Sequence, residues 1–138
     1  MKTHTTNYFN TFIEVSEDTK ANCAIIPVSK GGKKTIAERE YEIIGGHPYK
    51  FTSDDVLFQV YADRNDIPPS AYETEKARFF AKGQACFRAS PLTKNYGFGL
   101  HADKDGKIAL VGMETEAYRT FLENTQIKKV KAMRCSKK

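Results

Sequence analysis

Between Tyr8 and Val15 the chain alternates, with Phe9, Thr11, Ile13 and Val15 on one side and Tyr8, Asn10, Phe12 and Glu14 on the other. A period of two in aromatic and β-branched residues predicts a strand. The pattern then lapses. SEDTKANCAIIPVSKGGKK mixes charges with Pro27 and the Gly31-Gly32 pair, and reads as a long connection carrying one short extended piece from Cys23 to Val28. Beyond it the period lengthens to that of a helix, three times in succession. In the first, Thr35 precedes Glu38 at capping-box spacing, Ile36, Ala37, Tyr41 and Ile44 share a face, and Gly45-Gly46 with Pro48 stops the run. In the second, Thr52 or Ser53 is the cap, Asp54 and Asp55 suit the positive helix end, and Val56, Leu57, Val60 and Tyr61 form the buried stripe. In the third, which follows Pro68-Pro69, Ser70 and Glu73 predict another capping box. Tyr72, Lys76, Phe79 and Phe80 share its face, and Gly83 is placed to end it in a left-handed conformation.

The second half returns to a period of two. QACFRAS reads as a strand and PLTKN, from Pro91, as a loop. YGFGLHAD sets Tyr96, Phe98, Leu100 and Ala102 against Gly97, Gly99, His101 and Asp103, and DKDG at 103–106 turns it into KIALVGM as a hairpin. A helix from about Thr115 to Asn124 buries Ala117, Tyr118, Phe121 and Leu122. IKKVKAMR is a last strand, with Val130, Ala132 and Arg134 opposite Lys129, Lys131 and Met133. The order β-α-α-α-β-β-β-α-β predicts an α+β protein. Its sheet is antiparallel or mixed, of about five strands, with about four helices mainly on one face. With 138 residues, no repeat and no linker, residues 1–138 form one domain in this reading.

Charge alters the picture only at one end. The net charge is +5, yet six of the 22 basic residues lie in the last twelve positions, IKKVKAMRCSKK, and the remainder carries 16 basic residues against 17 acidic. Such a body lacks the extended basic surface of a dedicated nucleic-acid module. Lys129 and Lys131, alternating with Val130 and Ala132, suit an edge strand, where lysines deter pairing by another chain. A weak phosphate-backbone contact through this strand is the other reading. No segment has the apolar length of a signal peptide or a membrane span, so no membrane partner is expected. Cys23, Cys86 and Cys135 are odd in number and widely spaced, which points to a reduced, cytoplasmic compartment.

The densest candidate chemistry is RASPLTKNYGFGLH, where Arg88, Lys94, Tyr96 and His101 fall within fourteen residues. If Arg88 and His101 face the same way, with Lys94 on the loop between them, they form a cationic pocket for a carboxylate or phosphate. Tyr96 would supply an apolar wall, and Gly97 and Gly99 would leave room beside His101. The competing reading has a helix packed on those glycines and His101 as a satisfied polar residue at the core edge. The first reading makes the protein a non-enzymatic binding or regulatory domain for a small anionic ligand or an acidic partner segment. An enzyme using His101 as acid or base, with Cys86 as a thiol partner, is the alternative, although an inert buried thiol is commoner in an apolar segment. Asp54 and Asp55 read as helix-end charges rather than paired catalytic carboxylates. His4, His47 and His101 show no ligand spacing, so neither metal nor other cofactor is expected.

Four segments taken together, TNYFNTFIEV, PYKFTSDDVLF, KGQACFRASPLTKNYGFGLHAD and IKKVKAMR, resemble a family of small bacterial stand-alone proteins of unknown function. The resemblance spans nearly the whole chain. It implies a bacterial, cytoplasmic, single-domain protein and carries no activity, cofactor or site residue with it.

Overall fold

Thr11, Phe12 and Ile13 are all buried, so the strand they form cannot be a sheet's solvent-facing member. In the computed structural model, which describes residues 4–28 and 31–134, this strand, β1 (Thr11–Glu14), is an inner strand covered on both faces. It pairs antiparallel with β2 (Phe98–Ala102) and parallel with β4 (Lys128–Lys131), and β2 pairs antiparallel with β3 (Ile108–Gly112). The sheet is therefore mixed and four-stranded, in the order β3-β2-β1-β4. Register sets the two faces, because paired residues point the same way. Ile13, Leu100 and Leu110 share one face, and Phe12, His101, Ala109 and Lys129 share the other.

The first face carries the main core. Ile13, Phe98, Leu100 and Ile108 pack there with Ala37 and Ile44 of α1 (Ile36–Gly45), Val56 and Val60 of α2 (Ser53–Arg64), and Leu92 of α4 (Pro91–Lys94). Each fully buried aliphatic or aromatic side chain of this kind contributes roughly 1.5–3 kcal/mol. α2 begins with a true capping box, Thr52 with Asp55, and is buried on two sides. Val56 and Val60 face the sheet core, while Phe58 and Ala62 meet Phe80 of α3 (Tyr72–Phe80) in a second cluster.

The opposite face is covered for a topological reason. β3 and β4 lie at opposite edges, so the chain leaving β3 must cross the sheet to reach β4. α5 (Glu116–Glu123) makes the crossing and lays Tyr118 and Phe121 on Phe12. Gly99 permits this approach: a Cβ there would stand 2.6 Å from Phe12 Cζ and 2.7 Å from Tyr118 Cε2.

The α+β class, the mixed sheet, the hairpin and the edge position of IKKVKAMR agree with the sequence reading. Several particulars differ. QACFRAS is not a strand: Phe87–Ala89 forms a 3-10 turn, and PLTK, read as loop, is α4, with Ser90 as its side-chain cap and Pro91 at its first position. Among the described residues the sheet thus has four strands rather than five, and there are five α-helices rather than four. α5 sits alone on the second face. Its Ala117 and Leu122 are exposed, not buried, and Ile36 of α1 is exposed as well. The Ser70–Glu73 capping box does not form, because a 3-10 turn at Pro69–Ala71 leads into α3 and Ala71 takes the cap position without a side-chain bond. Gly83 follows α3 without a positive φ. The segment from Cys23 to Val28 belongs to no strand, although the Ile25 N–H donates to Tyr96 O.

Candidate functional site

The sheet stands between His101 and the other three residues of the hairpin site. Arg88, in the 3-10 turn, donates from Nε to Lys131 O at 2.7 Å, and its own carbonyl accepts the Met133 N–H at 2.7 Å. It thereby clasps the outer edge of β4, which blunts an otherwise open strand edge. Lys94 ends α4, and Tyr96 packs against the main core. His101 lies on the α5 face, stacked on Phe121 at 4.3 Å between ring centroids, with Nδ1 hydrogen bonded to Tyr49 Oη at 2.8 Å. Burial lowers the His101 pKa and Asp103 opposes that shift, while burial raises the Tyr49 hydroxyl. The room expected beside His101 is filled, since Phe12 and Tyr118 close Gly99 and the Cys23 carbonyl closes Gly97.

Cys86 has a different neighbour from the one its sequence position suggests. Its thiol meets Tyr8 Oη at 3.3 Å, on the main-core side, and burial with this contact pushes the Tyr8 hydroxyl up to about 12. The geometry therefore assembles no Cys86–His101 couple. Asp54 and Asp55 act at the start of α2, as their positions imply. Asp54 accepts from Thr5 Oγ1, Thr6 N and Thr6 Oγ1, each at 2.7 Å, and so docks the N-terminal segment, while Asp55 completes the capping box and lies 3.7 Å from Lys76 Nζ. The hollow of about 490 Å³ beside them is lined by Thr5, Asp54, Asp55 and Lys76, which are engaged in these contacts, together with His4, Glu73 and Phe80.

A second hollow is built differently. Between α1, α2 and α3 lies a cleft of about 250 Å³, walled by Leu57, Val60 and Tyr61 of α2 and Phe79 of α3, with Glu40 of α1 among its lining residues. Glu40 is only 2 % exposed. Ser90 Oγ donates to its Oε1 at 2.6 Å and accepts the Leu92 N–H at 3.1 Å, so the carboxyl also ties α1 to the start of α4. Burial pushes the Glu40 carboxyl up to about 7, with only the Ser90 hydrogen bond pulling the other way. A carboxylate deprived of water and given no cation holds its proton for this reason.

The cleft's mouth has the opposite character. Arg64, the last residue of α2, lines the cleft and also an adjoining basic hollow of about 410 Å³ shared with Lys33, Lys34 and Arg39. Asp63 and Asp66 lie in that hollow too, and Asp63 is already engaged by Gln59 Nε2 at 2.9 Å. Lys34 is paired with Glu42 at 2.7 Å, whereas Arg39 Nε is buried without a hydrogen-bond partner. An apolar cleft with a buried acid inside and one arginine on its lining, shared with a neighbouring basic hollow, is the arrangement most suited to a ligand. Sequence reasoning passed over it. The available signal was Glu40 standing within the apolar stripe of α1, four residues after Ile36 and four before Ile44.

No helix among the described residues is long and apolar enough to cross a membrane. No curated protein and no solved structure matches this chain. One family model, described as a family of unknown function (DUF6157), matches residues 3–138. The match covers nearly every residue, and the chain belongs to that family.

Proposed function

We propose that this protein is a non-enzymatic binding domain for a small amphipathic anion. The apolar part of the ligand fills the cleft between α1, α2 and α3, and its charged group meets Arg64 at the mouth. The observation that carries this reading is Glu40: a buried carboxyl with one hydrogen bond, lining open space walled by Leu57, Val60, Tyr61 and Phe79. Small-molecule sites are typically apolar hollows with a few placed polar groups, and ionisable groups of perturbed pKa cluster in them. Arg64 favours an anion by contact, and the four basic residues of the adjoining hollow, which outnumber its Asp63 and Asp66, add attraction at longer range. At about 250 Å³ the cleft suits a small molecule better than an acidic protein segment. A cytoplasmic setting belongs to the same proposal, on the strength of three sparse, unpatterned cysteines.

A thermal-shift screen of small organic acids tests it, because a ligand bound only by the folded state raises the unfolding temperature. A hit should stabilise the wild type and Arg88→Ala equally, stabilise Arg64→Ala less, and leave Leu57→Trp unmoved. Hits that act on Leu57→Trp as on the wild type, but lose their effect in Arg88→Ala, would move the site back to the hairpin.

A further inference from the structure

We infer that the anion binds only while Glu40 is in its acid form, so that binding takes up a proton at this residue. The inference rests on the cleft being the ligand site and adds how that site is regulated. An ionised Glu40 would put a second negative charge beside the ligand inside a cleft of about 250 Å³. In so little water that repulsion is strong. The acid form removes the repulsion and adds a donor. Oε1 is held by Ser90 Oγ, which leaves Oε2 to carry the proton and offer it to an acceptor on the ligand.

The groups sharing the space are few. α2 contributes Tyr61 and Arg64 as its ionisable side chains, α3 and the segment after it contribute Phe79 and Gln84, and α4 contributes Ser90. Among the described residues, Glu40 is the only carboxylate lining the cleft, and no histidine lines it. Gln84 Nε2 donates to Phe79 O at 2.7 Å, which engages one of its two amide hydrogens. The device resembles a gate more than an anchor. Arg64 attracts the anion at any neutral pH, and Glu40 decides whether the cleft behind it accepts the charge.

Isothermal titration at pH 6, 7 and 8 with sodium benzoate, sodium octanoate and benzylamine reads the linkage. Wild type, Glu40→Gln and Leu57→Trp are compared. With the Glu40 midpoint at about 7, the Kd of the tighter carboxylate should rise about tenfold from pH 6 to pH 8. In Glu40→Gln it should change less than about twofold, since Gln carries no titrating proton. Leu57→Trp should bind neither acid. A Kd that is level, or that falls as pH rises in the wild type, overturns the proton gate and leaves the cleft as the site. Benzylamine binding more tightly than both acids overturns the anion as well. If none of the three binds to the wild type, the cleft reading and the gate fall together. Should Glu40→Gln not fold, carbon-13 NMR of the wild-type Glu40 carboxyl decides instead. Benzoate must raise its titration midpoint, and a midpoint that stays or drops rejects the gate.

Discussion

Glu40, which is buried, and His101, which is half-buried, are ionisable residues on opposite sides of one sheet, and their surroundings differ. His101 is packed against Phe121, Tyr49 and its β1 neighbour Phe12, with Tyr118 sealing the glycine two residues before it. Glu40 is more deeply buried, yet it has one hydrogen bond and borders open space. Burial alone therefore does not mark a site. A polar group whose ring is taken up by packed neighbours is part of the packing, and one facing an unfilled volume with no charge partner is available to a ligand.

The sharpest way to break this contrast is to force apart the closed side. Gly99→Val places a branched side chain where even a Cβ would lie 2.6 Å from Phe12 Cζ and 3.1 Å from the Ile13 carbonyl. A loss of at least about 3 kcal/mol is expected in urea unfolding. Gly83→Ala, with its nearest atom 4.0 Å away, should change little under the same measurement.

Next in size is the pH dependence contributed by Glu40. The folded protein holds this proton up to about 7, whereas an ordinary glutamate releases it near 4.5. The stabilisation is therefore complete below pH 4.5 and is lost as pH rises through about 7. The loss amounts to roughly 3 kcal/mol. Denaturant midpoints of Glu40→Gln, which retains an oxygen for Ser90 Oγ, should lack that fall between pH 4.5 and 8. A parallel fall in both proteins would mean that some other group causes it.

Phe121→Ala should cost about 2 kcal/mol, less than a fully buried phenylalanine, because Phe121 is only partly covered. Opening this stack should also raise the His101 midpoint toward its ordinary value in proton NMR, since burial is what depresses it. The smallest effect belongs to Tyr49→Phe, which deletes the hydroxyl bonded to His101 Nδ1 at 2.8 Å. A cost of about 1 kcal/mol or less is expected for one half-exposed hydrogen bond. Neither variant should alter binding in the cleft.

Local chemistry in the chain was enough to place most of the elements. Thr35, Thr52 and Thr115 cap α1, α2 and α5 through bonds that span three residues, so their effect does not depend on distant partners. The hairpin turn is equally local, with Gly106 at φ +81° closing DKDG. The alternating lysines of IKKVKAMR marked an edge because a charged side chain costs little only where water reaches it. QACFRAS misled because its apolar content suits a strand, while Ser90 and Pro91 carried a helix-start signal that was outweighed.

What the sequence determined by itself was thus the set of elements with short-range causes, the class they imply, and the charge of the last strand. Tertiary structure alone decided which residues meet. Arg88, Lys94, Tyr96 and His101 are neighbours along the chain, but the alternation of a strand sends His101 through to the far face, away from the turn and helix that carry Arg88 and Lys94. Glu40, Leu57, Arg64 and Phe79 are spread over three helices and become a cleft only when those helices pack. Helical periodicity reports which face of a helix is turned inward, but whether that face meets packed side chains or open space depends on the partner opposite it.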